Sequence, residues 1–330
     1  MIWQIKGENI TPVELNIGPY TSIYDEYETI EEELLEIIFQ YFQKRGSNKD
    51  VITITDLNNQ ELISHRSYQS FVLSHELVEK EHALASSSLM NKKLNRLLTE
   101  NIEIDSYFNT MNQLMSDMLD HVHCDLPIHI KRFDYKMFIK QLEFDYGLHE
   151  DYRRLIVRLE KLIPLIVEEI NQQTQNKALM IYIYPESNLS PREQIRFRKL
   201  LNNLPVTLIV LTNSMHFISD NIHSMNFIKN DKQMLNQSFF ESLEWDAPLD
   251  YERQDIFDSL EQFIKLYHDK VELYPTISNY KTTEIILFKA IDIYVAVRYL
   301  INAGLPFSLD LDFTLLPAPV EQYLRAFYKS

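Results

Sequence analysis

The chain has 330 residues, and 48 Asp and Glu against 32 Lys and Arg give it a net charge of −16, which at face value argues against polyanionic partners. With 45% hydrophobic residues, including 18 Phe and 19 Tyr, it can bury a large core and is not a disordered chain. A lone cysteine, Cys124, excludes an intrachain disulfide and fits a reducing cytoplasm, and five isolated glycines exclude a Gly-x-x-x-x-Gly-Lys phosphate loop or a Gly-x-Gly-x-x-Gly dinucleotide turn.

Residues 1–6 lack the basic start and long apolar core of a signal peptide. Residues 13–17 alternate apolar and polar, Gly18-Pro19 turns the chain, and 21–24 continue, a pattern that predicts a hairpin. Glu28 and Glu31 to Glu33 open a helix reaching Gln43, well placed against its N-terminal dipole; Gly46 closes it, and the β-branched run 51–55 reads as a strand. From about residue 65 to 145 strand signals vanish. Apolar residues there recur at helical spacing, as in Phe71, Leu73, Leu77, Leu84 and later Met111, Leu114, Met115, Met118 and Leu119. A helix over 152–170 follows, in which Pro164 predicts a kink or break. Residues 178–184 form a strand that leads into a helix opened by Ser190-Pro191. A second apolar run, 206–211, follows at the spacing of a parallel βαβ unit, and 225–228 make a short last strand.

Beyond residue 231, helices are expected over 232–243, 252–269, 282–303 and 320–327, punctuated by Pro248, Pro275, Pro306, Pro317 and Pro319. The apolar stretch 282–305 carries Glu284, Lys289, Asp292 and Arg298, and each charge would cost about 2.5 kcal/mol or more near a bilayer centre. It reads as a buried helix, so no membrane partner is expected. Taken together, the pattern predicts an α/β fold like that of the P-loop NTPases, with a mostly parallel sheet and no Walker motifs. Its head domain would comprise 1–64 and 146–230, with a helical insertion over 65–145 and a helical C-terminal extension over 231–330.

Two local basic clusters stand out against the acidic average. Lys92, Lys93 and Arg96 fall on one helix, with Lys92 and Arg96 four residues apart; Arg132, Lys136 and Lys140 repeat that spacing beside Lys131. Such clusters are either solvated helix faces or phosphate contacts that release counterions without reading sequence. His121, His123 and Asp125 would share a strand face, but nothing at ligand spacing completes a zinc site apart from the isolated His129. No Gly-x-Ser-x-Gly elbow supports nucleophilic chemistry, and Cys124 beside His123 is adjacency in sequence rather than a dyad.

A strand pair, a helix, a strand, a helical insertion and then strand–helix–strand without a Walker loop resemble the toroidal Csn-two family of type II-A CRISPR systems. The closest stretches are 176–194, including Asn188-Leu189-Ser190-Pro191, and 204–211. The likeness covers about residues 1–230, and the further 100 residues resemble the family's large subgroup. It implies a non-catalytic cytoplasmic homotetrameric ring that binds double-stranded DNA, especially ends, and serves spacer acquisition beside the adaptation integrase and the type II effector nuclease. On that resemblance Lys92, Lys93, Arg96, Lys131, Arg132 and Lys136 are the expected DNA contacts. Calcium would be held by Asp125 and Asp134, although His129, Lys131 and Arg132 stand where the family is acid-rich. The alternatives are a degenerate P-loop-like ATPase, a metal-dependent nuclease using Asp125, Asp134 and the histidines, and an acidic helical interaction scaffold.

Overall fold

Residues 178–182 and 208–212 are buried without a break, the pattern of strands inside a parallel sheet rather than at its rim. The computed structural model describes residues 1–7, 10–25, 30–43, 52–122, 128–147, 154–229, 232–271 and 274–327. The chain divides into two units, one made of Met1–Val72, Leu179–Ser187 and Val206–Ser330, the other of Leu73–Ala178 and Asn188–Pro205.

In the first unit, β1 (Ile2–Gly7) pairs antiparallel with β2 (Ile10–Asn16) and β4 (Thr53–Asp56), and β4 with β5 (Glu61–Leu62). A second sheet runs in the order β10-β9-β3-β8-β7-β6, formed by β3 (Tyr20–Tyr24), β6 (Tyr68–Leu73), β7 (Lys177–Ile183), β8 (Thr207–Thr212), β9 (Met225–Lys229) and β10 (Lys232–Gln233). Its centre is parallel: β3 lies between β8 and β9, and β7 pairs with β8 from Leu179 opposite Thr207 to Ile183 opposite Leu211. This is the α/β fold with a parallel sheet that the sequence predicts. The helix α1 (Ile30–Tyr41) buries Leu34, Leu35 and Ile38 in one core with Trp3, Ile5 and Leu15 from the first sheet and Leu179, Ile209 and Leu211 from the second.

The rest of this unit contains α8 (Gln237–Trp245), α9 (Arg253–Val271), α10 (Ala290–Asn302) and α11 (Ala318–Phe327). Their core is continuous from Ile218, Met225 and Phe227 to Val320 and Leu324. Between the helices lies a three-stranded parallel sheet in the order β12-β11-β13, built from β11 (Thr276–Ser278), β12 (Ile285–Ile286) and β13 (Ser308–Asp310). Gly304, with φ +62°, takes the left-handed conformation that ends α10.

The second unit is helical: α2 (His75–His82), α3 (Leu89–Glu100), α4 (Ile102–His121), α5 (Tyr135–Ile139), α6 (Leu155–Gln173) and α7 (Pro191–Asn202). Here α3 packs against α4, α5 and α6, and α6 against α2 and α7. Pro191 stands at the start of α7, where Glu193 accepts hydrogen bonds from the Ser190 backbone N–H at 2.9 Å and its hydroxyl at 2.6 Å.

Four expectations are corrected. The predicted hairpin does not form, because β2 pairs with β1 whereas β3 enters the parallel sheet; at the bend, a side chain on Gly18 would collide with the Ser224 hydroxyl. The stretch read as strand-free contains β6. Pro164 does not break α6, which runs through it from Leu155 to Gln173. The helix predicted over 282–303 starts only at Ala290, since Ile285 and Ile286 pair with Ile277 and Ser278. Among the described residues no helix is long and apolar enough to cross a membrane.

Candidate nucleic-acid interface

The placement of α3 decides what its three cations can do. Ser88 caps the helix, accepting from Asn91 N at 3.1 Å, while the buried carboxylate of Glu81 accepts from Leu89 N and Met90 N, both at 2.8 Å. With α3 so fixed, Arg96 Nη2 lies 3.0 Å and Lys93 Nζ 3.4 Å from the carboxylate of Glu169 on α6, whose side chain is 0% exposed. Gln173 Nε2 donates to the same carboxylate at 2.7 Å. Burial pushes Glu169 up, but this hydrogen bond and the two cations outweigh it and hold the carboxyl below the usual glutamate range. Lys93 and Arg96 therefore neutralise a buried acid. Lys92 is exposed and has no ion pair among the described residues.

The second cluster is held by α4. Asn112 Oδ1 accepts from Phe133 N at 2.7 Å and its Nδ2 donates to Phe133 O at 3.0 Å, so one side chain pins both backbone groups beside Arg132. Phe108, the one side chain on α4 that is buried, packs against Phe133, Tyr135 and Phe138 at ring-centroid distances of 5.7, 4.7 and 5.8 Å. The Tyr135 hydroxyl donates to Asp105. Asp134 caps α5, accepting from Met137 N at 2.9 Å, and so starts the helix at Tyr135. The four cations consequently do not lie along one helix face: Lys131 and Arg132 precede α5, Lys136 lies within it and Lys140 is its C-cap. All four are exposed and form no ion pair among the described residues. Elsewhere in the same unit Arg158 pairs with Glu79 and Arg196 with Glu160.

Of the carboxylates assigned to calcium, Asp125 lies outside the described residues, as do His123 and Cys124. Asp134 has one oxygen engaged as the cap of α5. Calcium takes six to eight oxygens, and among the described residues Asp134 is not gathered with others into a group of three or more His, Cys, Asp or Glu that could hold a metal ion.

The carboxyl ends of β3, β8 and β7, where a parallel α/β sheet ordinarily receives a phosphate, present acids. Asp25 follows β3 and accepts from the Tyr184 hydroxyl at 2.8 Å, with Glu32 Oε1 at 3.1 Å from the same oxygen. Buried Glu186 accepts from Thr212 Oγ1 at 2.9 Å and Asn213 N at 2.8 Å. Its carboxyl lies above the ordinary glutamate range, because burial, with the charge of Asp25 adding to it, outweighs those hydrogen bonds. Burial and the two acidic neighbours likewise push the Tyr184 hydroxyl up.

Sequence reasoning missed Glu169 and Asn112. A signal existed for Glu169, which falls in step with Leu162, Ile166 and Ile170 on the apolar face of α6 and so demands a cation. Nothing in the sequence marks Asn112.

The fold and this geometry define an α/β protein with a parallel central sheet, acids at the carboxyl ends of its strands and a cation-bearing helical unit. Its architecture is similar to that of the crystal structure of Stu0660 of Streptococcus thermophilus, with TM-score 0.57 at 14% identity over 99% of both chains. At that identity the likeness is one of fold. No protein-family profile and no curated protein sequence matches the chain.

Proposed function

We propose that the chain binds double-stranded DNA through its phosphates, without reading sequence and without catalysis. In this reading it works as a homotetrameric ring in CRISPR spacer acquisition, beside the adaptation integrase and the type II effector nuclease. The observation that carries the reading is the run of exposed cations Lys131, Arg132, Lys136 and Lys140, seated on a platform fixed by Asn112 and Phe108 and left without carboxylate partners among the described residues. Lys92 adds to it. Lys93 and Arg96 contribute chiefly through their hold on α6. Because the net charge of −16 repels DNA at long range, binding needs this local density, multiplied by assembly.

Assembly is supported by α4. Tyr107, Met111, Leu114 and Met118 recur at intervals of four, three and four residues and are all exposed, a seam suited to another helix. Leu114→Glu with Met118→Glu should reduce the solution mass towards the 39.3 kDa of one chain. Calcium, with Asp125 and Asp134 as the ligands the family resemblance implies, stays part of this reading; of the two, Asp134 lies among the described residues.

The test is a gel shift on linear and circular duplexes of unrelated sequence, with and without calcium, beside a light-scattering mass. Binding to every linear duplex, weakening steeply with salt, is expected. No shift at low salt, or a monomer mass at micromolar concentration, would overturn the reading.

A further inference from the structure

The chain has two tryptophans, and they occupy opposite environments: Trp3 is 0% and Trp245 90% exposed. Trp245 ends α8, whose buried side is Phe239, Phe240 and Leu243. The indole stands off that side, over a groove of about 680 Å³ lined by Ser238, Glu241, Ser242, Glu244, Trp245 and Asp246. Residues 241–258 carry seven carboxylates and a single arginine. Glu244 pairs with Arg253 at 2.9 Å and Asp246 with Arg298 at 2.8 Å. Among the described residues Glu241 keeps only the amide of Gln237, at 2.8 Å, and it is exposed, as are Asp250, Glu252 and Asp255.

A fully presented indole beside Glu241, with exposed Asp250, Glu252 and Asp255 following in the chain, has one well-matched ligand class. Trp is the best aromatic partner for a cation, and the carboxylates supply the charge that draws one in. Nucleic acid and anionic lipid surfaces are repelled by those same acids. We propose that the groove at the end of α8 docks an arginine- or lysine-rich segment of another protein, with a cationic side chain over the Trp245 ring and its neighbours against Glu241 in the groove and Asp250 in the exposed segment that follows α8. This is a protein-recruiting surface and does not depend on the DNA reading.

The intact protein carries its own reporter, since Trp3 is buried and a change in emission from added peptide arises at Trp245. A synthetic peptide of alternating arginine and glycine should give a saturable, salt-sensitive change, and one of alternating glutamate and glycine none. Glu241→Gln with Asp250→Asn should weaken the arginine peptide about tenfold. Glu33→Gln with Glu36→Gln, which removes the same charge from the exposed face of α1, should leave its affinity unchanged. Trp245→Leu, followed with a labelled arginine peptide, should weaken binding by a similar factor. No saturable change, or equal losses in the groove pair and the distant pair, would overturn the proposal. A fall in the protein's own mass on Trp245→Leu would overturn it too, because the occupant would then be a second copy of the chain.

Discussion

Glu169 and Glu186 are both buried glutamates, one in the helical unit and one at the sheet edge, and their environments push them in opposite directions. Glu169 meets Arg96, Lys93 and Gln173, and its carboxyl is held below the usual range. Glu186 meets Thr212, Asn213 and the field of Asp25, and burial drives its carboxyl up. The helical unit neutralises an internal acid with two cations and still shows Lys92, Lys131, Arg132, Lys136 and Lys140 to solvent, where the proposed DNA contacts lie. The carboxyl ends of β3 and β7 instead gather hydrogen bonds on the carboxylates of Asp25 and Glu186. In the proposed reading DNA phosphates meet these cations, not the strand ends where this kind of sheet ordinarily receives a phosphate.

The contrast can be broken at its strongest point. Lys93→Gln with Arg96→Gln strands the Glu169 carboxylate, and urea unfolding should show a drop of about 1–3 kcal/mol, moderated because both cations touch solvent. The sign with pH follows from the depressed carboxyl. Its contribution is fully present above the unfolded value near 4.5 and is lost as pH falls through the lower folded value, so the wild type should weaken below pH 4.5. In the double variant burial of Glu169 is no longer offset by the two cations, so that acid-side loss should shrink or reverse, and an acid-side loss equal to the wild type's would show that the pair does not hold Glu169.

Glu186 should behave in reverse and more weakly. Its raised carboxyl favours the fold below the unfolded value near 4.5, and that contribution fades as pH rises through the folded value. Glu186→Gln keeps an acceptor for Asn213 and removes the charge, so stability at pH 8 should rise by about 0.5–1 kcal/mol. Destabilisation at pH 8 comparable to that at Glu169 would erase the distinction. The smallest effect belongs to Lys92→Gln, expected within about 0.5 kcal/mol of wild type because the side chain holds nothing in place.

The sequence made one half of this contrast legible. Unbroken apolar runs marked β7 and β8, and the acids at Glu31 to Glu33 marked the start of α1. The position of β3 was hidden, since Tyr20-Thr-Ser-Ile-Tyr24 is half polar. Its buried Ser22 accepts from Ser219 N at 2.9 Å and its Tyr20 hydroxyl donates to Phe217 O at 2.6 Å, partners almost 200 residues away. The strands β10, β12 and β13 are two or three residues long, too short to leave a period. On the cation side, spacing located the clusters but could not divide them. Only tertiary structure assigns Lys93 and Arg96 to Glu169 and leaves Lys131, Arg132, Lys136 and Lys140 to solvent.

That division is tested most directly by a salt titration of linear duplex binding for the wild type and for Lys131→Gln, Arg132→Gln and Lys136→Gln combined. The triple variant should remain folded and assembled. It should bind every duplex more weakly to the same degree, and its log–log salt slope should flatten by about 0.9 for each phosphate that is no longer neutralised. A triple variant that keeps both the affinity and the slope of the wild type would contradict the assignment of DNA to this helical unit.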